Sequence, residues 1–299
     1  MPHPSPSVDA SISCIPKFEF HPEQRLTPHK LVEIAYSPHR LELSPLAQNK
    51  MEASRLLLRE KLDAGQWIYG ANSGFGPLAG YAIQGKNSSQ HQHHLLYLLA
   101  TGVGESLTNL QARATWALRL FQLSLGYSGL TVGTWEQLAG PYAGEWVPQI
   151  PSLGSVGASG DLPPLAHLAL ELTRDAIVAK ENDSSDASNV IPFPWKEKEA
   201  LAFVNGTACM TAMAAINVVE AQKALEVAMA HSLVMGEVQR ACNEALDPLL
   251  AKAKPHQGIL KVIQWLSEKG HDSQWLVEEG IHEVEIGGTS KWPQDPYTI

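Results

Sequence analysis

The chain has 299 residues, 44% of them hydrophobic and 18% charged, with a formal net charge of −9 and three cysteines. That length can bury a core in one large domain or two, and the acidic balance argues against nucleic acid as the main partner, because phosphate binding needs a basic surface. Cys14, Cys209 and Cys242 are too widely spaced for a disulfide framework or a cysteine zinc site. No unbroken apolar run of bilayer-spanning length is read, and the start, MPHPSPSVDASISCIP, lacks the basic and apolar parts of a secretory signal. A cytoplasmic chain without a membrane partner is expected.

Up to about His39 the sequence is rich in Pro, Ser and His and is expected to be partly unstructured at its start. Ser44-Pro45 pairs an N-cap with an N1 proline, and Leu46 to Ala64 carries apolar residues at helical spacing before stopping at Gly65. From Tyr69 to Gly80 a loop is expected, with Gly70, Gly74, Gly76 and Gly80 in it. Leu95 to Leu99 and Gln111 to Leu125 read as helices, the second ending before Gly126. Asp161 is expected to cap a further helix, whose Pro163 and Pro164 are tolerated in the first turn. Glu181 to Asn189 is a low-complexity surface loop, and Lys196 to Leu250 is rich in Ala, Met and Leu, which suggests extended bundle helices. Strand signal is weak throughout, so the fold class is mainly α.

The most informative stretch is Gly154 to Leu162, with Ala158-Ser159-Gly160 at its centre. Glycine lacks a Cβ and tolerates a tight approach, so the nitrogen of Gly160 can attack the carbonyl carbon of Ala158. Loss of water from that ring, and from the Ser159 side chain, would leave an exocyclic methylidene, an electrophile made from protein alone. A glycine-rich turn ending in a helix cap is the bland alternative.

Four stretches decide between these readings: Tyr69 to Gly76 (YGANSGFG), Gly154 to Leu170 (GSVGASGDLPPLAHLAL), Leu201 to Thr207 (LAFVNGT) and Gln294 to Tyr297 (QDPY). In order and spacing they resemble the aromatic amino-acid lyase and aminomutase family, the histidine and phenylalanine ammonia-lyases among them. The resemblance implies a 4-methylidene-imidazol-5-one formed from Ala158, Ser159 and Gly160, with no external cofactor and no metal. It also implies Tyr69 as the base, Asn205 as an amide near the electrophile, and Tyr297 and Gln294 as further pocket residues. A free phenol titrates near ~10, so a Tyr69 base needs a stabilising field, which the positive end of the helix after Gly160 could supply. Asn205 also reads as a helix-interior amide or as the end of a short helix at Gly206.

Aligned on Gly102 and Gly104, Leu98 and Leu99 fall where the family sets ring selectivity. Aliphatic side chains there give no hydrogen bond to an imidazole or phenol, which favours phenylalanine, with histidine second. The resemblance further implies an electrophile-bearing domain over residues 1–195 and the truncated beginning of a central helical bundle over 196–299. A homotetramer, or a complementary C-terminal chain, is the expected partner of a small amino-acid substrate. The chain stops at Ile299, where the family's motif runs on to a carboxylate-binding arginine. An inactive fragment, a partner subunit and an aminomutase are therefore carried as alternatives.

Two other motifs carry less. Gly80 to Asn87 nearly matches a phosphate-binding loop but has no Ser or Thr after Lys86. His91, His93 and His94 invite a metal reading without a third ligand set at convincing spacing, so exposed or pairing histidines are expected.

Overall fold

The computed structural model describes residues 15–83, 88–157, 160–181 and 193–276, with the side chains of residues 88 and 174–181 excepted. Its described residues are mainly α, as expected. By packing the chain divides into two compact units, Met1–Val219 and Glu220–Ile299. The domain boundary expected between residues 195 and 196 falls within the first unit.

The first unit opens with structure in the Pro-, Ser- and His-rich region. Strand β1 (Lys17–Phe20) pairs in parallel with β2 (Arg40–Leu43), and α1 (Pro28–Tyr36) makes the crossover between them. Thr27 caps α1 by accepting from the Lys30 amide, with Pro28 in the first turn. Phe20, Leu41 and Leu43 are the buried positions of the strand pair. Helix α2 (Pro45–Asp63) starts at the Ser44 cap that the sequence marks, where the Ser44 hydroxyl accepts from the Ala47 amide.

Helix α3 (Ser88–Leu99) begins well before the expected Leu95, because its Gln- and His-rich first turns carry no apolar period. Strand β3 (Val103–Ser106) pairs antiparallel with β4 (Pro151–Leu153). Between them, α4 (Asn109–Ser124) opens with a capping box in which Thr108 and Gln111 satisfy each other's amides, and α5 (Val132–Ala139) follows.

Helix α4 is buried without a break from Ala112 to Leu120. Around it Trp116, Trp135, Tyr142 and Phe20 are almost wholly removed from solvent, each ring stabilising the fold by about 1.5–3 kcal/mol. Their polar atoms are met: the Trp116 indole donates to the Leu138 carbonyl, the Trp135 indole to Leu120, and the Tyr142 hydroxyl to Ile34. Buried Glu199 accepts from the Thr131 amide and hydroxyl, the Thr134 hydroxyl and the Lys196 amide. A carboxylate without those donors would be costly there.

The chain then runs through α6 (Leu162–Glu181), α7 (Glu199–Val204) and α8 (Ala208–Gln239). The apolar tract from Lys196 is thus not one continuous helix, since Asn205, Gly206 and Thr207 separate α7 from α8. Over Glu199–Gln239 the described chain is long and apolar enough to cross a membrane, contrary to the sequence reading, which saw no such run. Half of the most apolar window is buried in protein, and the core helix of a soluble protein passes the same test. In the second unit, α9 (Pro248–Ala253) and α10 (Gln257–Gly270) follow a short 3-10 turn at Asn243–Leu246. Leu233, Leu246 and Leu276 close around Gly270.

Candidate functional site

The glycine-rich stretch after β4 is held in backbone conformations that side chains avoid: φ is +62° at Gly157 and +134° at Gly160. Ala158 and Ser159 lie outside the described residues, as do Gln294 and Tyr297 and the Gln84 to Asn87 part of the phosphate-loop lookalike. Gly160 is buried against the turn between α7 and α8. A Cβ on Gly160 would stand 2.9 Å from the Gly206 nitrogen, 3.0 Å from its oxygen and 3.4 Å from the Asn205 Oδ1. The next amide, of Asp161, donates to the Gly206 carbonyl at 2.7 Å. Only a residue without a side chain fits this seat.

Asp161 begins α6 through its carbonyl, which accepts from the Leu165 amide, but its carboxylate does not cap that helix. An N-cap side chain bonds to the amides of the second and third helical residues; here these are Pro163 and Pro164, which have none. The carboxylate turns away instead. One oxygen accepts from the Ser155 hydroxyl at 2.7 Å and the other from the Met210 amide at 2.9 Å, in the first turn of α8. The prolines that the sequence reading accepted as merely tolerable therefore redirect Asp161 to a different helix.

Asn205 is the C-cap of the six-residue α7, the shorter of the two helical readings, and it is exposed. Behind it lies Arg119, which the sequence reading missed. The residue is 4% exposed, and its guanidinium donates to the carbonyls of Ala202, Phe203 and Asn205 and to Gln122 Oε1. Burial pulls its pKa down to about 10, with the charge of Asp161 opposing, so it is cationic at neutral pH. A lone arginine among Trp116, Leu120 and Leu123 was the signal available.

Tyr69 is 48% exposed, its hydroxyl accepting from the Gly76 amide at 3.0 Å and its ring set edge-on to Phe75. Phe75 in turn stacks on His91, with ring centroids 4.3 Å apart. Gln92, also missed, anchors this loop: its amide nitrogen donates to the Gly70 carbonyl, and its oxygen accepts from the Ala200 and Leu201 amides. It thereby caps α7, which gets no side-chain cap from Lys198.

Tyr69 and Asn205 meet at one cleft of about 380 Å³, lined also by Arg119, Tyr127, Ser128 and Lys198. Burial lowers the Lys198 ammonium below the usual lysine range, and the Ser128 hydroxyl is buried without a partner. Leu98 and Leu99 do not line this cleft: Leu98 is exposed and Leu99 packs against the core. Among the histidines, His93 bonds to the Phe193 carbonyl, and no cluster that could hold a metal occurs among the described residues. Cys209 is buried, and burial pushes its thiol up to about 11.

The sequence matches a model of the family described as aromatic amino acid lyase over residues 26–299. It is 32% identical to the tyrosine ammonia-lyase of Cereibacter sphaeroides, over 89% of this chain and 53% of that one. Against the histidine ammonia-lyase of Deinococcus radiodurans it is 32% identical over 93% of this chain and 53% of the other. The phenylalanine aminomutase of Pantoea agglomerans superposes with a TM-score of 0.78 at 25% identity, covering 95% of this chain and 57% of its own. The histidine ammonia-lyase of Trypanosoma cruzi gives 0.72 at 29%, over 84% and 50%. The chain spans about half the length of the curated relatives it matches.

Proposed function

The chain belongs to the aromatic amino acid lyase family, and from that premise we propose that it carries the electrophile-forming part of an enzyme that eliminates ammonia from an aromatic L-amino acid. The observation that carries this reading is the seat of Gly160, pressed on Asn205 and Gly206 with φ at +134°. Ring closure there needs only the chain's own atoms. The Gly160 nitrogen bonds to the Ala158 carbonyl carbon, whose oxygen leaves as water with the protons of the Gly160 and Ser159 amides. The Ser159 hydroxyl then leaves as a second water with the Cα proton, and no redox partner is involved. The buried glycine cradle fits such a ring, which, once formed, supplies an electrophile for the substrate's amine.

The other residues serve the proton and the substrate. Tyr69, on the same cleft as Asn205, takes the β-proton at its phenolic oxygen as general base. The Asn205 amide binds beside Gly160, and α6 and α8 both begin there, so their positive ends favour electron-rich species. Tyr297 and Gln294 complete the pocket on this reading. Partner copies of the chain, or a complementary C-terminal chain, share in the assembled site on this reading, in a cytoplasmic setting. By the resemblance at Leu98 and Leu99, which stand outside the cleft, phenylalanine is the proposed substrate, with histidine second, whereas the ammonia-lyases named above are named for tyrosine and histidine. The likeness to a phenylalanine aminomutase supports a second reading, return of the amine to the β-carbon.

Intact mass with peptide mapping tests the proposal. A deficit of two waters in the peptide spanning Ala158 to Gly160 is expected, and an unmodified peptide overturns it. Phenylalanine, histidine and tyrosine assayed in parallel then give the substrate order, and a β-amino acid product would identify an aminomutase.

A further inference from the structure

We propose that Arg119 is a positioning residue for Gly160, fixing the Asn205–Gly206 turn as the wall against which the ring closes. The inference rests on the electrophile reading of Ala158 to Gly160. It starts from a helix with a problem at its end. The last carbonyls of any helix lack intrahelical partners, and α7 finishes inside protein, with Ala202, Phe203 and Val204 all buried. Arg119 answers from α4. Its Nε donates to the Phe203 carbonyl at 2.6 Å, and one Nη donates to Ala202 and, at 3.0 Å, to Asn205. Gln122 holds the other Nη at 2.7 Å. The planar fork thus decides where α7 stops and in which direction Asn205 leaves it.

Gly206 carries that placement forward. A Cβ on Gly206 would run into the Arg119 guanidinium, so the backbone of the turn lies directly on the cation. The other side of the same residue receives the Asp161 amide at 2.7 Å and faces Gly160. Arg119, Gly206 and Gly160 therefore form one continuous stack, in which moving the guanidinium moves the surface that Gly160 rests on. Arg113, on the same helix, is equally buried but serves elsewhere, donating to the carbonyls of Gly144, Ser37 and Tyr142. It touches neither α7 nor the turn, which makes it an internal control.

The test compares wild-type chain, Arg119→Lys and Arg113→Lys. Each is purified as the folded fraction by gel filtration, checked by far-UV circular dichroism and mapped by mass. Lysine keeps the charge but not the fork. The expected result is a full two-water deficit in wild type and Arg113→Lys, and at least a tenfold smaller cyclised fraction in folded Arg119→Lys. An Arg119→Lys variant that cyclises as wild type overturns the inference, as does an equal loss in Arg113→Lys, which would mark a general effect of lost stability. If Arg119→Lys does not fold, Gln122→Met releases one arm of the fork at a partly exposed site. A threefold or greater fall in cyclised fraction then supports the role, and no change overturns it. Absence of the deficit in wild type is a separate outcome: it removes the electrophile reading and this inference with it.

Discussion

The wall behind Gly160 and the loop that carries Tyr69 face the same turn with opposite degrees of restraint. In the wall, the Asp161 carboxylate has a donor for each oxygen, the Arg119 fork is spread over three carbonyls and an amide, and Gly160 and Gly206 admit no side chain. In the loop, Tyr69 is half exposed and its hydroxyl holds one backbone amide. The loop is anchored at its root, where Gln92 grips Gly70, rather than at its tip. On the proposed reading, a group that is built once is set in a rigid frame, and a group that meets substrate repeatedly is held lightly.

Substitutions sharpen this contrast, beginning with the largest effect. Gly160→Ala puts a methyl 2.9 Å from a backbone nitrogen at a φ of +134°. Strain and overpacking together are expected to cost about 2–4 kcal/mol, read from urea midpoints, and a cost under about 1 kcal/mol would show that the wall yields. Asp161→Ala removes two charge-assisted hydrogen bonds and the cap of α8, an expected loss of about 2–3 kcal/mol. Asp161→Asn is expected to recover part of it.

A smaller effect is tied to pH. His167 accepts the Gly102 amide at 3.1 Å, and burial lowers its pKa, with Glu171 opposing. The folded chain thus prefers the neutral ring, while the unfolded chain takes up a proton near the ordinary histidine value of 6.5. The His167 contribution is present above that pH and is lost as pH falls through it toward the lowered folded value. Stability measured from pH 7.5 down to 5.5 is expected to fall, less steeply in His167→Gln; an unchanged slope would exclude His167 as a source. His91, lowered chiefly by burial, acts in the same direction.

Tyr69→Phe should change stability least, by about 0.5 kcal/mol or less, since one exposed hydrogen bond is lost. On the proposed reading, elimination is expected to drop about 100-fold or more. A large loss of stability with unchanged turnover would reverse the roles assigned to loop and wall.

Local signals were readable where they are complete within a few residues. Ser44-Pro45 starts α2, the helix read over Gln111 to Leu125 is α4, and the glycines after Tyr69 mark a loop. The first β–α–β unit was hidden because its apolar positions, Phe18, Phe20, Leu31 and Ile34, sit among Pro, Ser and His that read as disordered sequence. The first turns of α3 were hidden by Gln and His, which carry no period, although Gln92 does more there than any neighbouring histidine. Arg119 and the reach of Asp161 depend on which helix ends meet in space. The double proline was the one local hint, since it leaves Asp161 no donor in its own helix.

The contact between Gly160 and Gly206 joins segments that are far apart along the chain, with α6 and α7 between them. Nothing within Gly154 to Gly160 can supply that surface, so on the proposed reading the ring is a record of completed folding rather than a property of the nascent peptide. The unmodified mass should persist during synthesis until residues through Met210 have emerged and docked. The two-water loss then timestamps the moment this non-local contact forms.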